Sequence, residues 1–315
     1  MTRKRFHILV TEPMGESAMA RLSEVGEVIT LDRLDEDSLV AAVPHAHALI
    51  VRSATCVTEP VIAAAKRLRV IGRAGVGLDQ IDVSAARAAG IRVVYTPAAS
   101  TDAVAELTVG LIIALERQVM RGHSMVIAGE FARARRELIG RELRGLTLGI
   151  VGMGRIGSAV ARICGPGLGM GIIYNDIQPI ALTGLAARSV DKLTLYHDAD
   201  VVSLHVPLTD ETRHMISVAQ LARFKPTSTL VNTSRGAVVC TGALADALRE
   251  RRLAGAALDV LETEPPPPDY PLLDLANVIL TPHLGARTAL ALERMENVVD
   301  DVIAVLENRQ PTWCV

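Results

Sequence analysis

Short apolar runs alternate along this chain with segments whose apolar residues recur three and four positions apart. The runs at residues 6–10, 48–51, 70–72, 147–151, 171–175, 200–206, 229–232, 256–260 and 278–281 predict buried parallel strands. Between them lie helical stripes such as Ile156, Ala159, Val160 and Ile163. Strand–helix alternation of this kind predicts a doubly wound α/β sheet. One longer helical pattern carries Val104, Leu107, Leu111 and Leu115 on one face, widened by Thr108 and Ile112, and is long enough to cross between domains. A last amphipathic helix is predicted over about residues 286–308.

At 315 residues the chain exceeds what one core usually supports, so two domains are expected. The first break falls at Thr96-Pro97-Ala98-Ala99-Ser100, where Pro97 ends a strand and Ser100, Thr101 and Asp102 are candidate helix caps. The second follows Glu264, where Pro265 to Pro268 stand in a row. The expected division is one domain of residues 1–97 plus 286–315, discontinuous in sequence, and one of residues 98–285.

Composition narrows the partners. Half the residues are apolar, 22% are charged and the formal net charge is -2, which gives no reason to expect nucleic acid or an anionic membrane. Met1 to Arg5 are basic, but the apolar run behind them, Ile8 to Val10, is too short for a signal peptide, and no stretch reaches membrane-spanning length. Cys56, Cys164, Cys240 and Cys314 are scattered, without CxxC or histidines at metal-ligand spacing. Reduced thiols in a cytoplasmic protein and no metal site are the expectation.

The chemistry begins where the strand Thr147–Val151 runs into Gly152-Met153-Gly154-Arg155-Ile156-Gly157. Gly152 permits a tight turn, Gly154 a close approach of backbone to a pyrophosphate, and Gly157 close packing of helix on strand. Asp176 follows 19 residues beyond Gly157, at the end of the next strand. A carboxylate there accepts ribose hydroxyls and repels a 2′-phosphate, and Ile177, Gln178 and Pro179 offer no cation to hold one. NAD is therefore expected over NADP.

Three later strand ends carry unlike polar groups. Arg235 follows Leu230-Val231-Asn232, Glu264 lies beyond Asp259-Val260, and His283 follows Leu280-Thr281-Pro282. The carboxyl ends of parallel strands share one edge, where ligands bind. A carbonyl that gains hydride at carbon needs a proton at oxygen, and an imidazole titrates nearest neutrality. A carboxylate beside it would orient it and raise its pKa, and a guanidinium can grip a substrate carboxylate through two bonds. Each residue taken singly also fits a salt bridge or a loop. His205 closes a strand on the same edge and is read as a wall of the adenine pocket. His7, His45, His47, His123, His197 and His214 are read as structural or solvent-facing.

These motifs resemble the D-2-hydroxyacid dehydrogenases, most closely their phosphoglycerate dehydrogenase branch. The similarity runs nearly end to end, through Val51-Arg52-Ser53-Ala54-Thr55, Gly72 to Asp79, Ala105-Glu106-Leu107, Gly145 to Gly157, His205 to Thr212, Asn232 to Gly236, Asp259 to Pro265 and Thr281 to Ala286. The resemblance implies a Rossmann-type NAD domain and a discontinuous flavodoxin-like substrate domain, both doubly wound. It implies that Arg235 binds the substrate carboxylate, that His283 is the acid/base and that Glu264 is its partner. It implies cofactor contacts from Gly152, Gly154, Arg155, Ile156, Gly157, Asp176, His205, Pro207, Thr233, Asp259 and His283, with Asp259 on the nicotinamide carboxamide. Arg52, Ser53, Arg73, Val76 and Gly77, with Arg235, are the implied substrate contacts, and a homodimer through the cofactor domain and the helix near Glu106 is implied as well.

Four departures from the family pattern stand out, and the first two leave the substrate open. Ala98-Ala99-Ser100 stands where that branch commonly has asparagines, and Arg287 where a small residue is usual. Gly165-Pro166-Gly167-Leu168 is one residue longer than usual, and the chain stops at Val315 without the regulatory extension of long phosphoglycerate dehydrogenases, so serine feedback through such a domain is not expected. A phosphorylated acid would need cations beyond Arg235, for which Arg52, Arg73 and the run Arg133, Arg135, Arg136 are candidates. Glyoxylate or hydroxypyruvate reduction is the alternative, suggested by Ser100-Thr101-Asp102-Ala103, and an NAD-sensing corepressor is a further one.

Overall fold

The computed structural model describes residues 6–315, so the basic stretch Met1 to Arg5 lies outside the described residues. The chain divides into two compact units, one running up to Ser100 and resuming over Arg287–Val315, the other Thr101–Ala286.

The first unit holds β1 (Phe6–Val10), β2 (Gly26–Thr30), β3 (Ala48–Val51), β4 (Val70–Arg73) and β5 (Arg92–Tyr95), in the order β2-β1-β3-β4-β5. All pairings are parallel, and the order is the flavodoxin-like one. Every residue of β3 is buried, as a strand covered on both faces requires. Asp35 and Asp82 cap the helices that follow them by accepting the Ser38 and Ala85 N–H groups. The helix Val298–Leu306 buries Val298, Val299, Val302 and Val305 and packs on β4. Its buried Asp301 accepts the N–H groups of Thr312 and Trp313 at 2.6 and 3.0 Å. The tail then lies along β5: Cys314 bridges Val94 antiparallel, and Val315 N–H donates to the Val93 carbonyl at 3.0 Å.

The second unit holds β6 (Thr147–Val151), β7 (Gly171–Asn175), β8 (Arg188–Ser189), β9 (Val201–Leu204), β10 (Thr229–Asn232), β11 (Gly255–Leu258) and β12 (Val278–Leu280). The order is β12-β11-β10-β9-β6-β7-β8, parallel throughout. This is the doubly wound Rossmann arrangement, and its order reverses between β6 and β9, where such sheets bind ligands. One face packs Leu148, Ile150, Val160 and Ala161 with Ile112 of the helix Thr101–Glu116. The other packs Leu195, Tyr196, Val202, Leu244 and Leu248. Each such large side chain contributes roughly 1.5–3 kcal/mol by leaving water. The helix Thr101–Glu116 belongs wholly to the second unit.

Three strands go beyond the apolar pattern. β2 is an edge strand with Glu27, Ile29 and Thr30 exposed, β5 has only Val93 and Val94 buried, and β8 is two residues long. The terminal helix is two helices, Ala289–Glu296 and Val298–Leu306, separated at Asn297. Before β7 the chain makes a wide π turn over Ile163–Gly167, with Pro166 inside it. All four cysteines are free, and burial pushes the Cys164 thiol up to about 12. Among the described residues no helix is long and apolar enough to cross a membrane, and no cluster of metal-ligating side chains occurs.

Candidate active site

The carboxyl edge of the second sheet is built from the glycine turn outward. Gly152 follows β6 with φ +91, and a Cβ there would lie 2.5 Å from the His205 carbonyl oxygen, so only glycine fits. The helix Arg155–Arg162 starts at once from Gly154, with no side-chain cap. A Cβ on Gly157 would lie 2.2 Å from the Gly152 oxygen, whereas one on Gly154 meets nothing within 4 Å. The turn is therefore tight where helix meets strand and open at Gly154. Asp176, just past β7, is drawn to this turn: its Oδ2 accepts Met153 N–H at 2.7 Å and its Oδ1 accepts Gln178 N–H at 2.9 Å. Uncapped helix amides, an open glycine and a carboxylate with remaining lone pairs suit a pyrophosphate and its neighbouring ribose, so these residues fit a dinucleotide. Arg155 is exposed and Ile156 half-buried along the same turn.

His205 closes β9 with its Nε2 2.8 Å from Ser203 Oγ. Burial pushes its imidazole down to about 4, so the ring is neutral near pH 7. Pro207 is exposed in the same loop, and its carbonyl accepts the Thr212 hydroxyl at 2.7 Å. Thr233, after β10, is buried with its hydroxyl 2.9 Å from that of Thr108 on the helix Thr101–Glu116.

Beyond β12, His283 sits at φ +55 with its N–H shared between the carbonyls of Asp259 and Thr281. Its Nδ1 is 2.9 Å from Glu264 Oε2, and Glu264 Oε1 accepts Leu261 N–H at 2.8 Å. The Glu264 hydrogen bond lifts the His283 pKa above the ordinary histidine value, against partial burial, while the Glu264 and Asp259 charges help and Arg235 opposes. Burial works against an ionised Glu264, but the hydrogen bonds from His283 and Leu261, with the charges of His283 and Arg235, hold it below the usual carboxylate range. The pair favours imidazolium beside carboxylate, and its bond to Glu264 uses Nδ1 and not Nε2. Asp259 is buried and accepts three hydrogen bonds, from Thr281 Oγ1, Leu284 N–H and Gly285 N–H at 2.6, 2.7 and 2.8 Å. Arg235 leaves β10 on a loop that Asn232 shapes, its Nδ2 donating to the Arg235 carbonyl and its Oδ1 accepting Ser234 N–H. One Arg235 nitrogen donates to the Ser234 carbonyl at 2.7 Å.

The second unit thus brings Arg235, Glu264, His283 and Asp259 to the edge that carries the glycine turn. In the first unit, Arg52 and Ser53 follow β3, Arg73 is the last residue of β4, and Val76 and Gly77 lie in the loop after it. Arg52 lies 3.7 Å from Glu296, and Ser53 is exposed. Arg73 donates to the carbonyls of Ala74 and Gly77, so it shapes the loop that holds Val76. In the arginine run, Arg133 is paired with Glu137 on its own helix, Phe131–Glu137, and with Glu130 just before it.

Sequence reasoning set His214 aside, yet its Nε2 lies 2.5 Å from Glu262 Oε1, two residues before Glu264. The partners are 48 positions apart, and no local motif joins them.

Comparison with known proteins identifies the family. The family model described as "D-isomer specific 2-hydroxyacid dehydrogenase, NAD binding domain" matches residues 109–285. The chain is 44% identical over 299 residues to a D-3-phosphoglycerate dehydrogenase of Methanocaldococcus jannaschii, covering 94% of this chain but only 56% of that protein. It is 41% identical over 295 residues to a hydroxypyruvate reductase of Thermotoga maritima, covering 92% and 95%. A glyoxylate reductase structure from Paecilomyes thermophila superposes with a TM-score of 0.92 at 29% identity, over 100% of this chain and 99% of that one. None of these relatives supports the corepressor reading. With the profile spanning the glycine turn and the His283 loop alike, the chain belongs to the D-isomer-specific 2-hydroxyacid dehydrogenases.

Proposed function

We propose that this chain interconverts a small D-2-hydroxy acid and its 2-keto acid with NAD. The observation that carries the reading is the 2.9 Å His283–Glu264 pair, set with Arg235 on the carboxyl edge of a dinucleotide-binding sheet. Bound nicotinamide supplies or accepts the hydride. In reduction, protonated His283 gives the proton at Nε2 to the substrate's carbonyl oxygen, while Nδ1–H stays on Glu264. Glu264 keeps the ring oriented and charged. Arg235 holds the carboxylate next to that carbonyl and draws electron density toward its oxygen. In oxidation His283 begins neutral and takes the hydroxyl proton at Nε2.

Within that class we favour an unphosphorylated acid such as glyoxylate or hydroxypyruvate. Two of the arginines considered for a phosphate are engaged elsewhere, Arg73 on its own loop and Arg133 between two glutamates. The 44% identity to a phosphoglycerate dehydrogenase favours 3-phosphoglycerate as a second reading. Initial rates with NADH on glyoxylate, hydroxypyruvate and phosphohydroxypyruvate at fixed pH test both. Highest kcat/KM on phosphohydroxypyruvate would reverse the order, and no turnover on any would end the enzymatic reading.

Asp176 is the proposed ribose contact. Asp176→Ala should raise the KM for NADH about tenfold and narrow the NADH-over-NADPH preference, since a hydrogen bond to a charged group contributes about 1.5–3 kcal/mol. An unaltered preference would place the ribose contact elsewhere.

We also propose a homodimer. Met120, Ile127, Phe131 and Ile139 of the second unit are exposed by 50%, 75%, 62% and 82%, an apolar surface that a second copy would cover. Light scattering should give a mass of two chains, and Phe131→Asp with Ile139→Asp should give one. A wild-type mass of one chain would refute this assembly.

A further inference from the structure

We infer that His214 is a positioning residue that clamps the loop carrying Arg235 to the loop carrying Glu264. The inference rests on the reading of those two residues as site residues.

The two loops meet where Gly236 faces Leu261 and Glu262. A Cβ on Gly236 would lie 1.9 Å from the Leu261 carbonyl oxygen and 2.4 Å from Glu262 N, so the residue after Arg235 presses on the Leu261–Glu262 peptide. Leu261 also supplies the N–H that holds the Glu264 carboxylate. A shift of this contact would displace both groups that act on substrate.

His214 spans the contact. Its backbone N–H donates to the Ala237 carbonyl at 2.7 Å, one residue beyond Gly236. Its imidazole Nε2 meets Glu262 Oε1 at 2.5 Å. The second Glu262 oxygen accepts Thr241 N–H at 3.1 Å, and Glu262 N–H donates to Tyr270 Oη at 3.3 Å. Tyr270 Oη in turn lies 3.1 Å from Thr241 Oγ1. Burial opposes the Glu262 charge, yet the Thr241 and His214 contacts hold its pKa below the ordinary value, so it stays an acceptor. His214 makes both contacts from a left-handed backbone, φ +52. Such a backbone costs a non-glycine residue about 1 kcal/mol or more, and it persists where the surroundings over-determine it.

The test compares His214→Gly, which tolerates φ +52 but lacks the imidazole, with His214→Gln, whose amide nitrogen can reach Glu262. The first readout is the NMR titration of the His283 ring without ligand, assigned by the resonance missing from a His283→Gln protein. Glu264, Asp259 and Arg235, the charged groups that act on His283, are the same in each protein, so a change reports their placement. His214→Gly should bring the His283 pKa back toward the ordinary histidine value, and His214→Gln should leave it as in wild type. Glu262→Gln, which keeps the side-chain shape, should move it in the same direction as His214→Gly. Unchanged His283 titration in both His214→Gly and Glu262→Gln would overturn the clamp; if His214→Gly does not fold, Glu262→Gln decides alone.

The second readout separates positioning from bulk stability. His214→Gly should lower kcat about tenfold and raise the KM for keto acid, with NADH affinity unchanged and most activity returned in His214→Gln. Equal losses in NADH affinity and keto-acid KM would overturn it. Absence of turnover in the wild type would remove the proposed function, while the NMR titration still decides the clamp.

Discussion

His283→Gln is expected to lower turnover by ~10²–10⁴ while NADH still binds. Glutamine keeps a hydrogen-bonding side chain near Glu264 but cannot carry a transferable proton at neutral pH. The loss should fall on kcat for reduction and oxidation alike, because the same nitrogen gives the proton in one direction and takes it in the other. Stopped-flow single turnovers and NADH fluorescence titration separate the two effects, and a variant with wild-type turnover would remove the acid assignment. The pH dependence follows from the direction of the shift. His283 is raised by its hydrogen bond to Glu264, so reduction should hold below the raised pKa and fall as pH climbs through it. Oxidation needs the neutral ring and should rise over that window. The pair also links to stability: its His283 contribution is fully present below the unfolded histidine pKa and is lost as pH rises through the higher folded one.

Gly236→Ala is expected to cost about as much activity without touching a chemical group. The added methyl would lie 1.9 Å from the Leu261 oxygen, and a backbone atom offers no rotamer by which to yield. One of the two loops must move by about an ångström, which can cost on the order of 10² in rate where reacting groups are prealigned. Overpacking of this kind destabilises by about 1–3 kcal/mol, visible as a lowered melting temperature. Gly242→Ala is the control: nothing lies within 4 Å of its Cβ position, and it sits in the helix Thr241–Arg249, where alanine is the better residue. Matching kinetics in the two variants would contradict the pressed contact.

The parts of the fold legible in sequence were those written locally. Buried strands such as Ala48–Val51 and Thr147–Val151 show as apolar runs because both faces are covered. The glycine turn shows because strand, glycines and Asp176 keep a fixed spacing. β2 was missed because Glu27 and Thr30 face outward on an edge, where the pattern need not be apolar. The break at Asn297 was missed because apolar residues continue at helical spacing on both sides of it. Arg235, Glu264 and His283 could be picked out because each follows a strand whose end is predictable. The His214–Glu262 pair was not, because only the packing of the Arg235 loop on Leu261 brings residues so distant in sequence together.

The tail that lies along β5 has a consequence for how this protein behaves in a crowded solution. A parallel sheet ends in two rows of unpaired backbone groups, each a template on which a foreign strand can grow. β2 carries the charged Glu27 on its side of the sheet, whereas β5 offers the apolar pair Val93 and Val94. It is at Val93 and Val94 that Cys314 and Val315 form their backbone contacts, held there by Asp301 through Thr312 and Trp313. Cys314 and Val315 therefore cover the more apolar margin of this sheet, and their hold on it runs through one buried aspartate.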